Sequence, residues 1–318
     1  MGKIAYVFPG QGSQYVGMGR ELAQEYEQAR EIYRLADETL GYELSRLCFE
    51  GPEEELKLTY HTQPAILTTS IALYEVFKEQ APRPDYVAGH SLGEYSALVA
   101  AGAMTFRDAV YTVRKRGEYM DDAVPAGQGA MSAVLGGDRE TIAKICEQVT
   151  LAGQTVQMAN MNAPGQIVIS GSKEGVDQAS QQLKEAGIRR IIPLSVSGPF
   201  HSELMKPAAS KLAHVLSEVK LSTANIPVVV NTEARPFMLA EDLEQALVEQ
   251  VFSPVLWQES VEWLLEQGVD IFVEIGPGQV LSGLVKKIAK EKKREVHIYS
   301  VSDKESMTKT LEALNERV

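Results

Sequence analysis

Cysteine is scarce in this sequence, and its scarcity excludes two classes of protein. Cys48 and Cys146 are the only cysteines among 318 residues, and they lie outside any Cys-x-x-Cys spacing. A disulfide-stabilised secreted domain is therefore not expected, and both residues are predicted to be buried thiols in a reducing cytoplasm. The five histidines show no His-x-x-x-His spacing, so no metal site is predicted.

Positive charge and long apolar runs are also lacking. There are 31 lysines and arginines against 43 acidic residues, a net charge of −12, which disfavours nucleic acid as a partner. No apolar run approaches the ~20 residues of a membrane span. The opening segment MGKIAYVFPG lacks the features of a signal peptide. We therefore expect a soluble, cytoplasmic protein without membrane association.

The positive charge that is present is concentrated in two short runs. These are VRKRG at 113–117 and VKKIAKEKKR at 285–294. Such runs are usually the solvated face of a helix. On an otherwise acidic protein, they could instead form a docking patch for an acidic partner. The sequence leaves both interpretations open.

Apolar segments alternate with amphipathic ones along most of the chain, which indicates an α/β domain with a mainly parallel sheet. The alternation changes after PAGQG at 125–129. The segments that follow are predicted as β-α-β-β-α-β, the ferredoxin-like order. We therefore predict a large α/β domain formed by residues 1–126 and 197–318. A small ferredoxin-like α+β subdomain, residues 127–196, interrupts it.

The segment GHSLG at 89–93 has the Gly-x-Ser-x-Gly spacing of a nucleophilic serine. A predicted strand precedes it and a predicted helix follows, which is the context that this motif requires. Gly89 and Gly93 would let the backbone turn tightly and leave room for the neighbouring strand and helix. Ser91 would then lie at the carboxyl end of a strand, where open α/β sheets bind ligands. The alternative is a serine that only caps an ordinary helix, but the two glycines favour a nucleophile.

A serine hydroxyl needs a base to accept its proton, and His201 is the best candidate. It lies in SVSGPFHSEL, beyond a strand end and at the return from the predicted insert. His90 is adjacent to Ser91, and neighbouring side chains at a turn diverge. No acid stands out at a strand end between Ser91 and His201. A backbone carbonyl could orient His201 instead.

The glycine-rich segment FPGQGSQYVGMG at 8–19 does not contain a nucleotide-binding motif. Tyr15 occupies the third glycine position of a dinucleotide fingerprint, and Met18 stands where a phosphate-binding loop has lysine. A tight turn that exposes backbone N–H groups after a strand is the preferred interpretation. The similar segment EIGPGQVLSG at 274–283 is interpreted as structural.

Several segments together resemble the malonyl-CoA:acyl carrier protein transacylase family. They occur in order from end to end of the chain: FPGQGSQ, TQPAI, AGHSLGEYSAL, RKRGEYM, GPFH, SPVLW and EIGPGQVLSGL. The resemblance implies an α/β-hydrolase-like core with a ferredoxin-like insert, in agreement with the predicted organisation. It also implies an acyltransferase that forms an acyl-serine intermediate.

The resemblance assigns roles to the catalytic residues. It implies that Ser91 carries the acyl group and that His201 is the general base, with its ring oriented by the backbone carbonyl of Gln250. The backbone N–H groups of Gln11 and Leu92 are expected to form the oxyanion hole.

The resemblance also implies the residues that bind the substrate. Arg116 is expected to pair with the malonyl carboxylate, because a guanidinium holds a carboxylate through two parallel hydrogen bonds. Gln63 and Asn162 are expected to line the cleft. Phe200 would crowd a substituent on the α-carbon of the acyl group, which favours malonyl over methylmalonyl.

The predicted activity is transfer of malonyl from malonyl-CoA to the phosphopantetheine thiol of acyl carrier protein, for fatty-acid biosynthesis. Coenzyme A enters as part of the substrate, and no metal or redox cofactor is expected. The protein is expected to be a monomer. The alternatives are a serine hydrolase or thioesterase, a non-catalytic carrier-protein-binding module, and an acyltransferase that serves a polyketide synthase. Arg116 argues against a hydrolase of simple esters, and the presence of both Ser91 and His201 argues against a non-catalytic module.

Overall fold

The strands of the protein form two separate sheets in a computed structural model that describes residues 2–316. The strands are β1 (Lys3–Phe8), β2 (Tyr86–Gly89), β3 (Gly129–Leu135), β4 (Val156–Ala163), β5 (Gln166–Ser172), β6 (Arg190–Pro193), β7 (Val228–Val230), β8 (Arg235–Phe237), β9 (Val269–Ile275) and β10 (His297–Val301). The larger sheet has the order β10-β9-β1-β2-β7-β8. It is parallel except for β8, which pairs antiparallel with β7. The predicted mainly parallel sheet is confirmed.

Helices surround both sheets. They are α1 (Arg20–Glu25), α2 (Glu27–Leu40), α3 (Leu44–Glu50), α4 (Glu53–Leu56), α5 (Thr59–Phe77), α6 (Gly93–Ala100), α7 (Phe106–Asp122), α8 (Arg139–Leu151), α9 (Lys173–Glu185), α10 (Lys206–Glu218), α11 (Ala240–Gln250), α12 (Trp257–Glu266), α13 (Val280–Glu291) and α14 (Lys304–Asn315). Strand β1 is buried on both faces. Tyr6 and Phe8 belong to one apolar cluster, and Ala5 and Val7 belong to another. A strand that is covered on both sides is typical of a parallel sheet with helices on each face.

The smaller sheet is antiparallel, with the order β4-β5-β3-β6. Helices α8 and α9 pack on it through an apolar cluster that includes Ile142, Val149 and Ile169. The chain order β3-α8-β4-β5-α9-β6 confirms the ferredoxin-like arrangement. These elements lie within residues 127–196, and the division of the chain into two domains at those limits stays a prediction.

Strand β4 joins the small sheet to the rest of the protein. The backbone N–H of Met161 donates to the carbonyl of Val255 at 2.9 Å, and the N–H of Val255 donates to the carbonyl of Ala159 at 2.8 Å. These bonds fix β4 beside the segment between α11 and α12. They also place the side chain of Asn160 at the junction of the two sheets.

Several elements differ from those that the sequence pattern predicts. The apolar spacing at 19–40 predicts one long helix, but the segment forms two, because Tyr26 has an extended backbone with φ −112°. The short helices α3 and α4 were not predicted. Strand β8 was not predicted, because it has only three residues and contains Pro236. Proline cannot donate to a ladder and is tolerated at a sheet edge, which is where β8 lies.

The turn after β2 packs directly against the turn after β1. A Cβ atom added to Gly93 would lie 2.0 Å from the carbonyl oxygen of Phe8, and one added to Gly89 would lie 1.9 Å from the carbonyl carbon of Gly93. A larger residue at Gly93 would therefore push the two turns apart, and a larger residue at Gly89 would clash with the backbone of its own turn. Gly93 is required by packing between the turns, and Gly89 by the tightness of the turn that carries Ser91.

We expect Gly93→Ala to lower the free energy of unfolding by more than about 2 kcal/mol, because the added methyl group meets main-chain atoms that cannot rotate away. Gly283→Ala is the matched control. A Cβ atom at Gly283 has no neighbour within 4 Å, and alanine should stabilise helix α13 by roughly 0.5–1 kcal/mol. Urea denaturation of both variants measures the difference. Equal stabilities would contradict the packing argument.

Candidate active site

Ser91 lies in the turn between β2 and α6, at the carboxyl edge of the larger sheet. Its φ is 49°, a left-handed conformation that serine adopts only under constraint. The predicted strand, turn and helix are therefore present in the expected order. The positive end of the α6 helix dipole favours negative charge near this residue.

His201 contacts the Ser91 hydroxyl through one ring nitrogen and a carbonyl through the other. Its Nε2 lies 2.8 Å from Ser91 Oγ, and its Nδ1 lies 2.8 Å from the backbone oxygen of Gln250. A carbonyl oxygen can only accept, so Nδ1 carries the hydrogen and donates to Gln250. The Nε2 lone pair is then directed at the Ser91 hydroxyl, which donates to it.

The environment of His201 keeps the ring uncharged. Burial and, to a smaller extent, the positive charge of Arg116 together lower the pKa of His201 from its usual value to about 3, although the Gln250 carbonyl acts in the opposite direction. Because the folded-state pKa lies far below neutrality, the ring is unprotonated and can accept a proton across the physiological pH range.

Arg116 is a buried cation, with only 1 % of its surface exposed. It donates from Nη1 to Gln63 Oε1 at 2.8 Å, and from Nη2 to Gln250 Oε1 at 2.9 Å and to Ser91 Oγ at 3.0 Å. Within residues 2–316, none of the ion pairs includes Arg116, and Glu94 acts on it only at longer range. A buried guanidinium that is held by neutral oxygens beside a cavity is suited to an anionic ligand.

The other charges of the run at 113–117 have a different environment. The Arg114 guanidinium lies over the rings of Tyr42 and Tyr60, at 5.3 and 4.6 Å from the centroids. It forms an ion pair with Glu118 at 2.8 Å, and Lys115 does so at 2.9 Å. Arg114 also donates to the Tyr60 carbonyl at 3.1 Å. These contacts fix the first turn of α5 against α7, the helices that carry Gln63 and Arg116.

Ser91, His201 and Arg116 line a cavity of about 120 Å³ between the two sheets. Phe200, which is 6 % exposed, contributes to its apolar wall. The rest of this wall comes from both sides of the junction: Met120, Met131, Leu194 and Val196. This volume is small beside the ~300–1,000 Å³ of ordinary ligand pockets, so the cavity suits a short acyl group.

Gln11 and Leu92 also line this cavity. They follow β1 and β2, which are neighbours in the sheet, so their backbones lie at the same edge. Within residues 2–316, neither N–H group has a hydrogen-bond acceptor. Two adjacent N–H groups without acceptors are suited to a developing oxyanion. Gln63 lines the same cavity through the side chain that receives the Arg116 hydrogen bond.

Asn162 lies beside the Ser91 cavity rather than in its wall, and its expected place in the substrate cleft stays a prediction. Its Oδ1 lies 2.7 Å from Nε2 of His90, in a neighbouring cavity of about 130 Å³. Asn160 lines the Ser91 cavity instead. A strand rises about 3.3 Å per residue, so Asn162 lies farther along β4 and reaches the other side of His90.

Two buried polar residues of the site were missed from the sequence. Asn231 Oδ1 accepts the Ser91 N–H at 2.7 Å, and the Asn231 N–H donates to Glu94 Oε2 at 2.8 Å. Burial raises the pKa of Glu94 to about 7. Asn231 could have been found from the sequence, because it follows the apolar strand VVV. Ligand sites are common at the carboxyl ends of strands in parallel sheets. For Glu94 the signal was an acid within the apolar helix sequence LGEYSALVAA.

The described residues contain no group of side chains suited to a metal ion. None of their helices is both long and apolar enough to cross a bilayer. Cys48 and Cys146 are free and buried, as predicted.

The fold and this site define an acyltransferase, and the model of the acyl transferase domain family matches residues 5–312. The transacylase named malonyl CoA-acyl carrier protein transacylase from Bacillus subtilis is 55% identical over 316 residues, which cover 99% of this chain and 98% of that protein. The corresponding crystal structure from Streptococcus pneumoniae is 48% identical, with a TM-score of 0.92 and coverage of 98% and 100%. A third relative comes from the structure of a type II PKS acyl-carrier protein in complex with its malonyl-transacylase. The matched chain has a TM-score of 0.94 at 45% identity, and the match covers 98% of this chain and 99% of that chain.

The chain belongs to the malonyl CoA-acyl carrier protein transacylase family. The match extends over nearly the whole chain, so the resemblance seen in the sequence segments is confirmed.

Proposed function

We propose that the protein transfers a malonyl group from malonyl-CoA to the phosphopantetheine thiol of acyl carrier protein, and so supplies fatty-acid biosynthesis. The observation that carries this proposal is Arg116, a buried cation that lies 3.0 Å from Ser91 Oγ and is held by neutral groups. A malonyl thioester carries a carboxylate beyond its reacting carbonyl. Arg116 can bind that carboxylate while the carbonyl lies at Ser91.

The first half of the proposed reaction loads the enzyme. His201 Nε2 accepts the Ser91 proton as Oγ attacks the thioester carbonyl. The resulting oxyanion accepts hydrogen bonds from the N–H groups of Gln11 and Leu92, each worth about 3–4 kcal/mol in comparable sites. The carbon–sulfur bond then breaks, and the coenzyme A sulfur takes the proton from His201. Ser91 is left as a malonyl ester.

The second half repeats these steps with a different thiol. The phosphopantetheine thiol gives its proton to His201 and attacks the malonyl ester, and Ser91 recovers its proton as it leaves. This is a ping-pong cycle. It uses no metal or redox cofactor, and coenzyme A participates only as part of the substrate. The Gln250 carbonyl keeps the His201 ring in one tautomer throughout.

Phe200 and the size of the cavity support a preference for malonyl over branched acyl groups. The ring of Phe200 is buried in the cavity wall next to His201, where it would meet a substituent on the α-carbon. We also infer a cytoplasmic monomer, and the free thiols of Cys48 and Cys146 are consistent with that reducing compartment.

Two alternative functions differ from the proposed one in the molecule that accepts the acyl group. A hydrolase would use the same Ser91 and His201, but a hydrolase of simple esters has no need of a buried Arg116. A polyketide pathway would keep the chemistry and change only the carrier protein. One observation favours the polyketide pathway as a second candidate. A structural relative is the malonyl-transacylase of a type II PKS acyl-carrier protein.

Intact-protein mass spectrometry after mixing with malonyl-CoA tests the proposal. We expect one malonyl group per chain, located on Ser91 by peptide mapping and absent from Ser91→Ala. Holo-acyl carrier protein should discharge it much faster than water does. Rapid release of free malonate without carrier protein would instead identify a hydrolase. Comparison of fatty-acid and polyketide carrier proteins as acceptors separates the two pathways.

Arg116→Ala should reduce acylation by malonyl-CoA about 10–100-fold more than acylation by acetyl-CoA, because a hydrogen bond to a charged group contributes roughly 1.5–3 kcal/mol. Single-turnover rates with the two thioesters measure this ratio. Lys115→Ala is the matched control, since Lys115 lies beside Arg116 but pairs with Glu118 at the surface. Equal losses with both thioesters would mean that Arg116 has only a structural role.

The basic run at 285–294 lies on α13 and the turn after it. Lys286, Lys287 and Lys290 are exposed, whereas Lys292 pairs with Glu262 at 3.0 Å. The first turns of α13 border the cavity next to His90 through Val280 and Leu284. This proximity supports the docking interpretation, in which an acidic carrier protein binds the lysines and directs its prosthetic group toward Ser91.

Reversing the charges of Lys286, Lys287 and Lys290 to glutamate should raise the KM for carrier protein about tenfold at low salt. Acylation by malonyl-CoA should not change. The effect should shrink as salt is added, since exposed charges are screened. Reversal of the exposed Lys144 and Lys184 on the small sheet's helices is the control. An unchanged KM would mean that the α13 lysines form only a solvated face.

A further inference from the structure

The register between β2 and β7 places Asn231 opposite the turn that carries Ser91. Val87 is paired with Val228, and Ala88 with Val229. Continued at the same register, His90 would pair with Asn231. In a parallel ladder, a residue donates its N–H to the carbonyl before its partner and accepts from the N–H after its partner. At this position those groups are the Gly89 carbonyl and the Ser91 N–H.

The main chain of Asn231 does not make these two bonds. Its N–H donates to Glu94 Oε2 at 2.8 Å, and its carbonyl accepts from the Leu256 N–H at 2.9 Å. The backbone of this segment has therefore left the ladder at the end of β7.

The side-chain amide of Asn231 makes the two ladder hydrogen bonds that its main chain does not make. Nδ2 donates to the Gly89 carbonyl at 2.7 Å, and Oδ1 accepts from the Ser91 N–H at 2.7 Å. Nδ2 takes the place of the peptide N–H of a ladder residue, and Oδ1 takes the place of its carbonyl oxygen. The side chain thus extends the β2–β7 ladder beyond the point where the main chain departs.

These bonds hold a strained peptide. Ser91 has a φ of 49°, and a left-handed conformation costs an ordinary residue roughly 1–2 kcal/mol. Asn231 is fully buried, so its hydrogen bonds do not compete with water. Gln250 completes the support, because its Nε2 donates to the Ser91 carbonyl at 3.1 Å and to Asn231 Oδ1 at 3.3 Å.

We propose that Asn231 is a positioning residue for the nucleophile. By holding the Gly89 carbonyl and the Ser91 N–H, its amide sets the direction of Ser91 Oγ toward His201 and of the Leu92 N–H toward the cavity. Glu94 acts one step further away, because its carboxylate fixes the Asn231 backbone. This inference rests on the proposed function in one respect, the role of Ser91 as nucleophile.

Asn231→Asp tests the proposal, because it keeps the shape and the acceptor but removes the donor to the Gly89 carbonyl. With the new carboxyl ionised at pH 8, we expect acylation of Ser91 to slow about 100-fold, the loss that a small misplacement of a reacting group can cause. The rate is measured in single turnovers at saturating malonyl-CoA.

The pH dependence of the Asn231→Asp rate distinguishes a loss of positioning from a general loss of folded structure. A neutral carboxyl can donate to the Gly89 carbonyl as the amide does, so the rate relative to the wild type should recover as pH falls. The charged or titratable groups around it are Glu94 on α6, Arg116 on α7 and His201 before α10, while Gln250 on α11 is neutral. Glu94 opposes ionisation of the new carboxyl, and Arg116 favours it. The wild type measured at each pH accounts for the titration of these three groups. A reduced relative rate that stays constant with pH would overturn the proposal, and so would an undiminished rate at a pH where the new carboxyl is ionised.

Three controls complete the experiment. Asn225→Asp alters an exposed asparagine just before β7 and should leave the rate unchanged. Malonyl-CoA should bind Ser91→Ala and the double variant Ser91→Ala/Asn231→Asp with dissociation constants within about twofold, because Arg116 is untouched; a large difference would show that Asn231 acts on substrate binding instead. If Asn231→Ala is also folded, it should be slow at every pH, and a recovery at low pH would contradict the proposal.

A fluorophosphonate reagent makes the inference independent of the substrate. It labels an activated serine whatever acyl group the enzyme uses, so Asn231→Asp should slow labelling of Ser91 at pH 8 as it slows acylation. If the wild type were labelled but took no malonyl group, the proposed function would fail while the positioning role could still be measured. Equal labelling rates for the wild type and the variant would overturn the positioning role alone.

Discussion

The burial of Arg116 is the constraint on which the arrangement of the site depends. A cation removed from water needs polar partners, and Arg116 finds oxygen acceptors on Gln63 of α5, Gln250 of α11 and the Ser91 turn. The same Gln250 orients His201 through its main chain. Gln250 thus takes part both in the solvation of the buried charge and in the alignment of the Ser91–His201 pair.

The two sheets contribute different parts of the cavity. The larger sheet positions Ser91, because the carboxyl ends of β1, β2 and β7 meet at one edge, whereas His201 lies on the segment between β6 and α10. The smaller sheet supplies part of the apolar wall through Met131 and the segment after β6, and it is tied in place by the backbone bonds between β4 and Val255. Part of the cavity wall therefore comes from a different sheet from the one that positions Ser91.

The sequence predicted what local pattern determines. The Gly-x-Ser-x-Gly spacing located Ser91, and the alternation of apolar segments predicted both sheets, whereas the three-residue β8 gave too short a signal. Other features depend on contacts between distant segments. Asn231 meets Ser91 across 140 positions, and the choice between Asn160 and Asn162 depends on how β4 is placed beside Val255. The burial of Arg116, unlike Arg114 two residues earlier, also follows from packing that a run of basic residues does not reveal.

The group that orients His201 is a neutral carbonyl, and this choice affects which bonds the site can exchange. A carboxylate would stabilise the protonated ring, but the Gln250 carbonyl offers only a dipole, and the ring lies near the positive Arg116. A proton taken up from Ser91 is therefore held weakly and passes readily to the departing group. Thiols ionise near pH 8.5 and depart with little assistance, so a weakly held proton is sufficient for them. The same readily donated proton serves the departure of the Ser91 alcohol in the second half of the proposed cycle, so one neutral carbonyl supports exchange in both directions between a thioester and a serine ester.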